Sequence, residues 1–171
     1  MARVIPGRQR KPMAREPVPR RKRLRLSGFN YGSPCPYFVT VCTQDRRPLF
    51  AEYRVGAEML QCILDGARDS AFGLMAVCVM PDHRHALVMP LAEGNELGHM
   101  VRAAKGRATA RLRALGITGK IWQARFYDHV VRAEEDLRQV AEYIVNNPVR
   151  KGLAARAEDW PVAAIFPDAF P

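Results

Sequence analysis

The sequence predicts an α+β fold, and three observations carry the reading. Short runs rich in β-branched and aromatic residues alternate with stretches whose apolar residues recur at helical spacing. Two of the strand-like runs are joined by a two-residue turn. The chain has 171 residues, 48% of them hydrophobic, which is the size of one domain with a core of its own.

The elements follow in order. "PYFVTVCT" (36–43), bounded by "GSPCP" and "QDRRP", reads as a strand. Val55, Met59, Cys62, Ile63 and Gly66 keep helical spacing and predict a helix from about residue 54 to 69. "LMAVCVM" (74–80) is a continuous apolar run of strand length, buried on both faces. Pro81 and Asp82 form a tight turn, and residues 83–89 return as its antiparallel partner. Asn95 is placed to cap a helix whose stripe is Leu97, Met100, Val101, Ala104, Ala108 and Leu112, with Gly116 set to stop it. "DHVVR" (128–132) is a further short strand. A last helix begins at "AEED", whose acidic residues suit its positive end, and closes at "NNP" before Pro148. The order is the split β-α-β-β-α-β unit of ferredoxin-like folds, an antiparallel sheet with helices on one face, followed by a C-terminal helix that carries Tyr143.

Charge divides the chain at residue 25. Residues 1–25 hold ten Lys and Arg against Glu16 alone, which accounts for +9 of the net +10. A segment this rich in Pro and Arg, and this poor in apolar residues, cannot offset its ordering entropy, so a disordered arm is expected. Its core, Arg20, Arg21, Lys22, Arg23 and Arg25, suits nucleic-acid phosphates; a solubilising tail is the plainer alternative. Residues 26–171 are then one nearly neutral domain. Cys35, Cys42, Cys62 and Cys78 form no C-x-x-C pair and read as reduced thiols, most of them in the core. No apolar run approaches the roughly 18 residues of a membrane span, so the expectation is a cytoplasmic, nucleoid-associated protein with no membrane partner.

Two of only four histidines, His83 and His85, stand at the head of the second hairpin strand. Alternation puts both on one face with Leu87 and Met89, and turns Arg84, Ala86 and Val88 to the other. Such a pair is half a metal site, or equally two hydrogen-bonded structural residues. On the last helix the apolar stripe is Leu137, Val140, Ala141 and Ile144. Tyr143 lies about 110° from its centre, with Asn147 beside it on the same edge. A tyrosine serving only the core belongs inside the stripe; a boundary tyrosine with a solvated hydroxyl is the bland reading.

"MPDHRHALV", then "IWQARFYDHVVRAEEDL", "EYIVNNPVRKGL" and "DWPVAAIF", resemble the single-tyrosine HUH transposases, and among them the REP-associated tyrosine transposases. The resemblance runs from about Arg23 to Phe166. It implies that His83 and His85 are paired metal ligands, Asn147 a third, and Tyr143 the nucleophile. The ion implied is Mg²⁺ or Mn²⁺, which oxygen donors favour. The middle residue of the motif is a bulky hydrophobe in that family and Arg84 here; it faces away from the ligands, so the departure bears on packing behind the strand.

The activity implied is nicking and strand transfer of single-stranded DNA at hairpin-forming repeats through a 5′-phosphotyrosine. A non-catalytic nucleic-acid-binding regulator, and a metal-dependent nuclease using water, are the alternatives. The DNA surface expected besides the arm is the second helix, through Arg102, Lys105, Arg107 and Arg113. Either a monomer or a homodimer is compatible, since related transposases include dimers that exchange their tyrosine helices.

Overall fold

The computed structural model describes residues 35–132 and 135–171. The elements are β1 (Tyr37–Cys42), α1 (Tyr53–Asp69), β2 (Phe72–Met80), β3 (His83–Pro90), α2 (Leu97–Ala114), β4 (Tyr127–Val130), α3 (Leu137–Val145), α4 (Asn147–Arg150) and β5 (Ala163–Ile165). The sheet order is β4-β1-β3-β2-β5 and every neighbouring pair is antiparallel. The expected α+β architecture is therefore present, with β5 added at the edge from "DWPVAAIF". Only three residues long, β5 carries no alternation pattern that a sequence can display. The basic arm, with Arg20, Arg21, Lys22, Arg23 and Arg25, and the boundary at residue 25 lie outside the described residues.

Alternation along the strands sends two sets of side chains to two separate cores. Val39, Val41, Val77, Val79, Ala86 and Val88 pack with Met59, Cys62 and Ile63 of α1 and Met100, Val101 and Leu112 of α2. On the opposite face Cys78, Met80 and Leu87 pack with Ala141 and Ile144 of α3. The molecule thus has three layers, and α3 occupies the face that α1 and α2 leave open. Between Leu74 and Ala76 the β2–β3 register slips by one residue, a bulge that turns both Met75 and Ala76 to the α3 side. Gly66 lets α1 and α2 close together, because a Cβ there would stand 2.9 Å from that of Ala104.

Helix ends differ from expectation in two places. Asn95 does not cap α2: its amide donates to the Ala71 carbonyl, and the helix starts after Glu96 with no side-chain cap. The interaction with the β2 entry is non-local, which is why spacing alone misassigned it. The last helix starts at Leu137, one residue after "AEED", with the Asp136 carboxylate accepting from the Arg138 amide. Asn146 then ends α3, and the chain resumes as the single turn α4 rather than stopping at Pro148. Gly116 and Gly152, both at positive φ, close α2 and α4 in the same way. The amides of Ile117 and Leu153 reach back to Leu112 and Pro148, and those of the glycines to Arg113 and Val149.

Arg84, the departure within the histidine motif, is fully buried between β3 and the α1/α2 layer, and none of its three guanidinium nitrogens has a hydrogen-bond partner among the described residues. Burial pulls its pKa down to about 10, so it remains a cation at neutral pH. An unpaired buried charge opposes folding. Arg84→Met is expected to raise unfolding free energy by about 1–3 kcal/mol, read as a higher urea midpoint at unchanged slope. A lower midpoint would mean that the guanidinium is satisfied in solution.

Candidate active site

The central strand β3 builds the site. The Pro81-Asp82 turn is fastened from outside: Thr43 donates to the Asp82 carbonyl through both its amide (3.0 Å) and its hydroxyl (2.9 Å), and the Phe50 amide donates to Pro81 (2.9 Å). Pairing with β1 then sets Thr40 opposite His85 and Cys42 opposite His83. His83 and His85 emerge together on the α3 face, as alternation predicts, with ring centroids 4.6 Å apart.

Both imidazoles are held from behind. His83 Nδ1 lies 2.5 Å from Asp82 Oδ1, and His85 Nδ1 lies 2.9 Å from the Thr40 hydroxyl. Arg46 in turn pairs with the other Asp82 oxygen at 3.2 Å. The two Nε2 atoms face each other at 3.0 Å. An ionised carboxylate only accepts, so the neutral His83 ring carries its hydrogen on Nδ1 and presents a lone pair at Nε2. A hydroxyl can donate or accept. With Thr40 donating, His85 turns an Nε2–H toward His83; with Thr40 accepting, both Nε2 lone pairs converge and require a cation between them.

The donor set fits a divalent ion. Two neutral imidazole nitrogens that face each other at 3.0 Å are chemically suited to hold a divalent ion once neither carries a hydrogen. Burial lowers the pKa of both rings, that of His85 to about 3, with His83 and Arg46 acting in the same direction. In His83 burial outweighs the opposing pull of Asp82. Both rings are thus neutral, the form that binds metal. Among the described residues no third His, Cys, Asp or Glu joins them.

Phe38 connects the histidines to α3. Its ring stacks on His85 (centroids 5.2 Å, 22°) and meets Tyr143 edge-on (6.4 Å, 73°). Tyr143 is 44% exposed, whereas Ala141 and Ile144 beside it are fully buried, which is the edge position its spacing predicted. Asn147, one turn on, is 6% exposed. Its Nδ2 donates back to the Tyr143 (2.9 Å) and Ile144 (3.2 Å) carbonyls, which leaves Oδ1 as the atom available to a ligand. Arg150 lies over the Tyr143 ring, with Cζ 4.6 Å from its centroid. A cleft beside Tyr143 is lined by Phe38, Tyr127, His129, Glu135, Asp136 and Gln139, with His129 Nε2 bonded to Glu135 at 3.0 Å.

The helix surface expected to meet DNA divides. Arg102 and Arg113 are exposed on α2. Lys105 instead donates to the Gln123 carbonyl (2.9 Å), and Arg107 pairs with Asp69 of α1. Trp122, 8% exposed, donates its indole N–H to Thr109 (2.9 Å) and Lys105 (3.2 Å), so it packs rather than standing open to bases. Thr40, Phe38, Asp82 and Arg150 are the site residues that sequence reasoning missed. The first two needed the β1–β3 register. Asp82 and Arg150 had local signals: a carboxylate directly before a ligand-type histidine, and a cation three residues after Asn147.

The "Transposase IS200 like" family profile matches residues 33–147. The chain belongs to the IS200-like transposase family. Within it, the REP-associated tyrosine transposase of Escherichia coli K12 is 32% identical over 135 residues, covering 77% of each chain. A Haemophilus influenzae relative is 31% identical over 144 residues, covering 77% of this chain and 80% of its own. The solved structure of a REP-associated tyrosine transposase bound to a REP hairpin superposes with a TM-score of 0.66 at 27% identity, covering 84% of this chain and 89% of that one. The resemblance read from the motifs therefore holds. Among the described residues no helix is long and apolar enough to cross a membrane.

The depressed His85 pKa has a stability consequence. An unfolded imidazole takes a proton near pH 6.5, and folded His85 does not until about pH 3, so its contribution is complete above pH 6.5 and is lost as pH falls. From pH 7 to 5 the loss is about 2 kcal/mol. Urea unfolding with chelator present should show this fall in the wild type, and a fall smaller by about that amount in His85→Asn. Equal falls would contradict it.

Proposed function

We propose that the chain nicks and rejoins single-stranded DNA at hairpin-forming repeats, with Tyr143 as the nucleophile and a divalent ion, Mg²⁺ or Mn²⁺, held by His83, His85 and Asn147. The observation that carries this is the placement of Tyr143 and the two convergent Nε2 atoms on one face, joined through the ring of Phe38. Family membership supports it, as does the REP hairpin bound by the neighbour of known structure.

In the proposed reaction the Tyr143 Oη–P bond forms while the P–O3′ bond breaks. The phenol proton leaves, O3′ takes up a proton to become a free hydroxyl, and the 5′-phosphate stays on the protein. Attack by a 3′-hydroxyl reverses these steps and releases Tyr143, so the bond energy is kept and no nucleotide cofactor is needed. The bound ion supplies charge neutralisation at the phosphate oxygens. Asp82 and Thr40 hold the two imidazoles in the tautomer and orientation that ligation needs. Phe38 and the buried stripe of α3 fix the distance between phenol and histidines.

The tyrosine helix packs on its own sheet, which supports a site completed within one chain. Ala141 and Ile144 are fully buried against the β2–β3 face. The C-terminal residues reinforce this, with Arg138 over the Phe170 ring at 5.1 Å and the Phe166 amide bonded to Met75 at 2.8 Å.

Incubation with Mn²⁺ and end-labelled hairpin-bearing single strands, followed by denaturing electrophoresis, is expected to show a protein-linked DNA band. Tyr143→Phe should abolish it, and EDTA or His83→Ala should reduce it at least about 100-fold. Cleavage that survives Tyr143→Phe would favour water as nucleophile, and binding without cleavage a regulator. Asp82→Ala, which removes the support behind His83 together with the Arg46 pair, is expected to weaken Mn²⁺ binding by about 10–100-fold in calorimetry.

The arm is proposed as a phosphate clamp. Deleting residues 1–22 should weaken binding and flatten the dependence of log K on log salt by about 0.7–0.9 for every phosphate the arm neutralises. An unchanged slope would rule the clamp out.

A further inference from the structure

We propose that Arg150 is the protein cation that receives the scissile phosphate beside Tyr143, its guanidinium stacked over the phenol ring with its N–H edge turned to a non-bridging oxygen. The inference rests on the reading of Tyr143 as nucleophile and adds a phosphate-binding group that the metal-ligand set does not contain.

Three observations converge on Arg150. Its Cζ stands 4.6 Å from the Tyr143 centroid, while Phe38 meets the same ring edge-on, so the phenol ring contacts both an apolar ring and a cation. The contact spans seven residues, farther than neighbours on a continuous helix reach. It forms because Asn146 interrupts the helix, α4 restarts as a single turn, and a helical side chain leans toward its own N-terminus. The Arg150 amide still bonds to the Asn146 carbonyl and that of Lys151 to Asn147, so Arg150 and Lys151 follow Asn147 at the three- and four-residue spacings of one helix face. Finally, Arg150 is exposed and pairs with no carboxylate in the described residues, unlike Arg46, Arg107, Arg111 and Arg156.

The chemistry calls for such a group. A phosphodiester carries one negative charge, and phenoxide attack raises the total to two, spread over the phosphoryl oxygens. A planar fork of donors already resting on the nucleophile's ring matches that distribution without moving the nucleophile. Lys151, also exposed, follows directly, so the same turn carries a second cation.

The test separates phosphate binding from packing. Full-length Tyr143→Phe protein, which keeps the ring under Arg150, is titrated in EDTA, so that no ion contributes, with hairpin-bearing single strands carrying one neutral methylphosphonate at each successive linkage beside the hairpin. At one linkage neutralisation should weaken binding about tenfold with Arg150 present and less than about twofold in the Arg150→Leu version, which retains an apolar cover over the ring. Arg150→Lys should fall between, keeping the charge without the fork. With Tyr143 restored, Arg150→Leu should slow single-turnover adduct formation about 100-fold, an effect larger than its effect on affinity. Equal methylphosphonate penalties in both proteins, or an undiminished adduct rate, overturn the proposal. Thermal unfolding checks each variant, and Arg150→Lys carries the comparison if the leucine variant does not fold. If one linkage depends on Arg150 but the wild type forms no Tyr143 adduct there, the phosphate-binding role stands and the nicking reading falls.

Discussion

The two-residue turn at Pro81-Asp82 fixes the register of the central strand, and the site depends on that register. Side chains of β3 alternate, so a slip of one residue would carry both histidines into the α1/α2 core and expose Arg84 in their place. Three hydrogen bonds from Thr43 and Phe50 clamp the turn, and β1 repeats the register from the other side by setting Thr40 against His85. Asp82 serves in both roles: its carbonyl anchors the turn, and its carboxylate holds His83.

Placing α3 on the opposite face from α1 and α2 follows from the same alternation. Cys78, Met80 and Leu87 form an apolar floor that needs a cover, and the Met75 bulge widens it by one residue. The stripe through Ala141 and Ile144 supplies that cover, and its burial leaves Tyr143 at the boundary beside the histidines. Phe38 fills the remaining gap. Its ring is the common wall of His85 and Tyr143, so spacing between the two is set by aromatic packing rather than by a flexible loop.

Much of this was legible in the sequence because it depends on period. The apolar runs, the stripes of α1, α2 and α3 and the histidine alternation are local patterns, and each reappears in the structure within a few residues. What escaped was non-local. Asn95 has the chemistry of a cap but bonds across to Ala71, and β5 is too short to show alternation. Lys105 and Thr109 share a polar helix face by spacing, yet the fold uses both to seat Trp122. Thr40 carries no sign of its role until strand pairing brings it to His85. Arg84 was legible in direction but not in consequence: alternation turned it away from the ligands, and only the packing shows it to be a cation without a partner among the described residues.

The charges around Tyr143 are lopsided, and this restricts how a phosphate can approach. On the α4 side stand Arg150, over the ring, and Lys151. On the β4 side Glu135 and Asp136 line the cleft, and the basic residues beside them, His129 and Arg132, both bond to Glu135, one through its imidazole and the other through its main-chain amide. Both carboxylates are exposed, so solvent and salt screen their repulsion of a phosphate to a modest bias. A backbone phosphate is therefore drawn to the α4 side, the side that also carries Asn147. In the proposed reaction that asymmetry puts the phosphate on the flank of Tyr143 that carries Arg150 and Asn147, away from the Glu135 and Asp136 carboxylates.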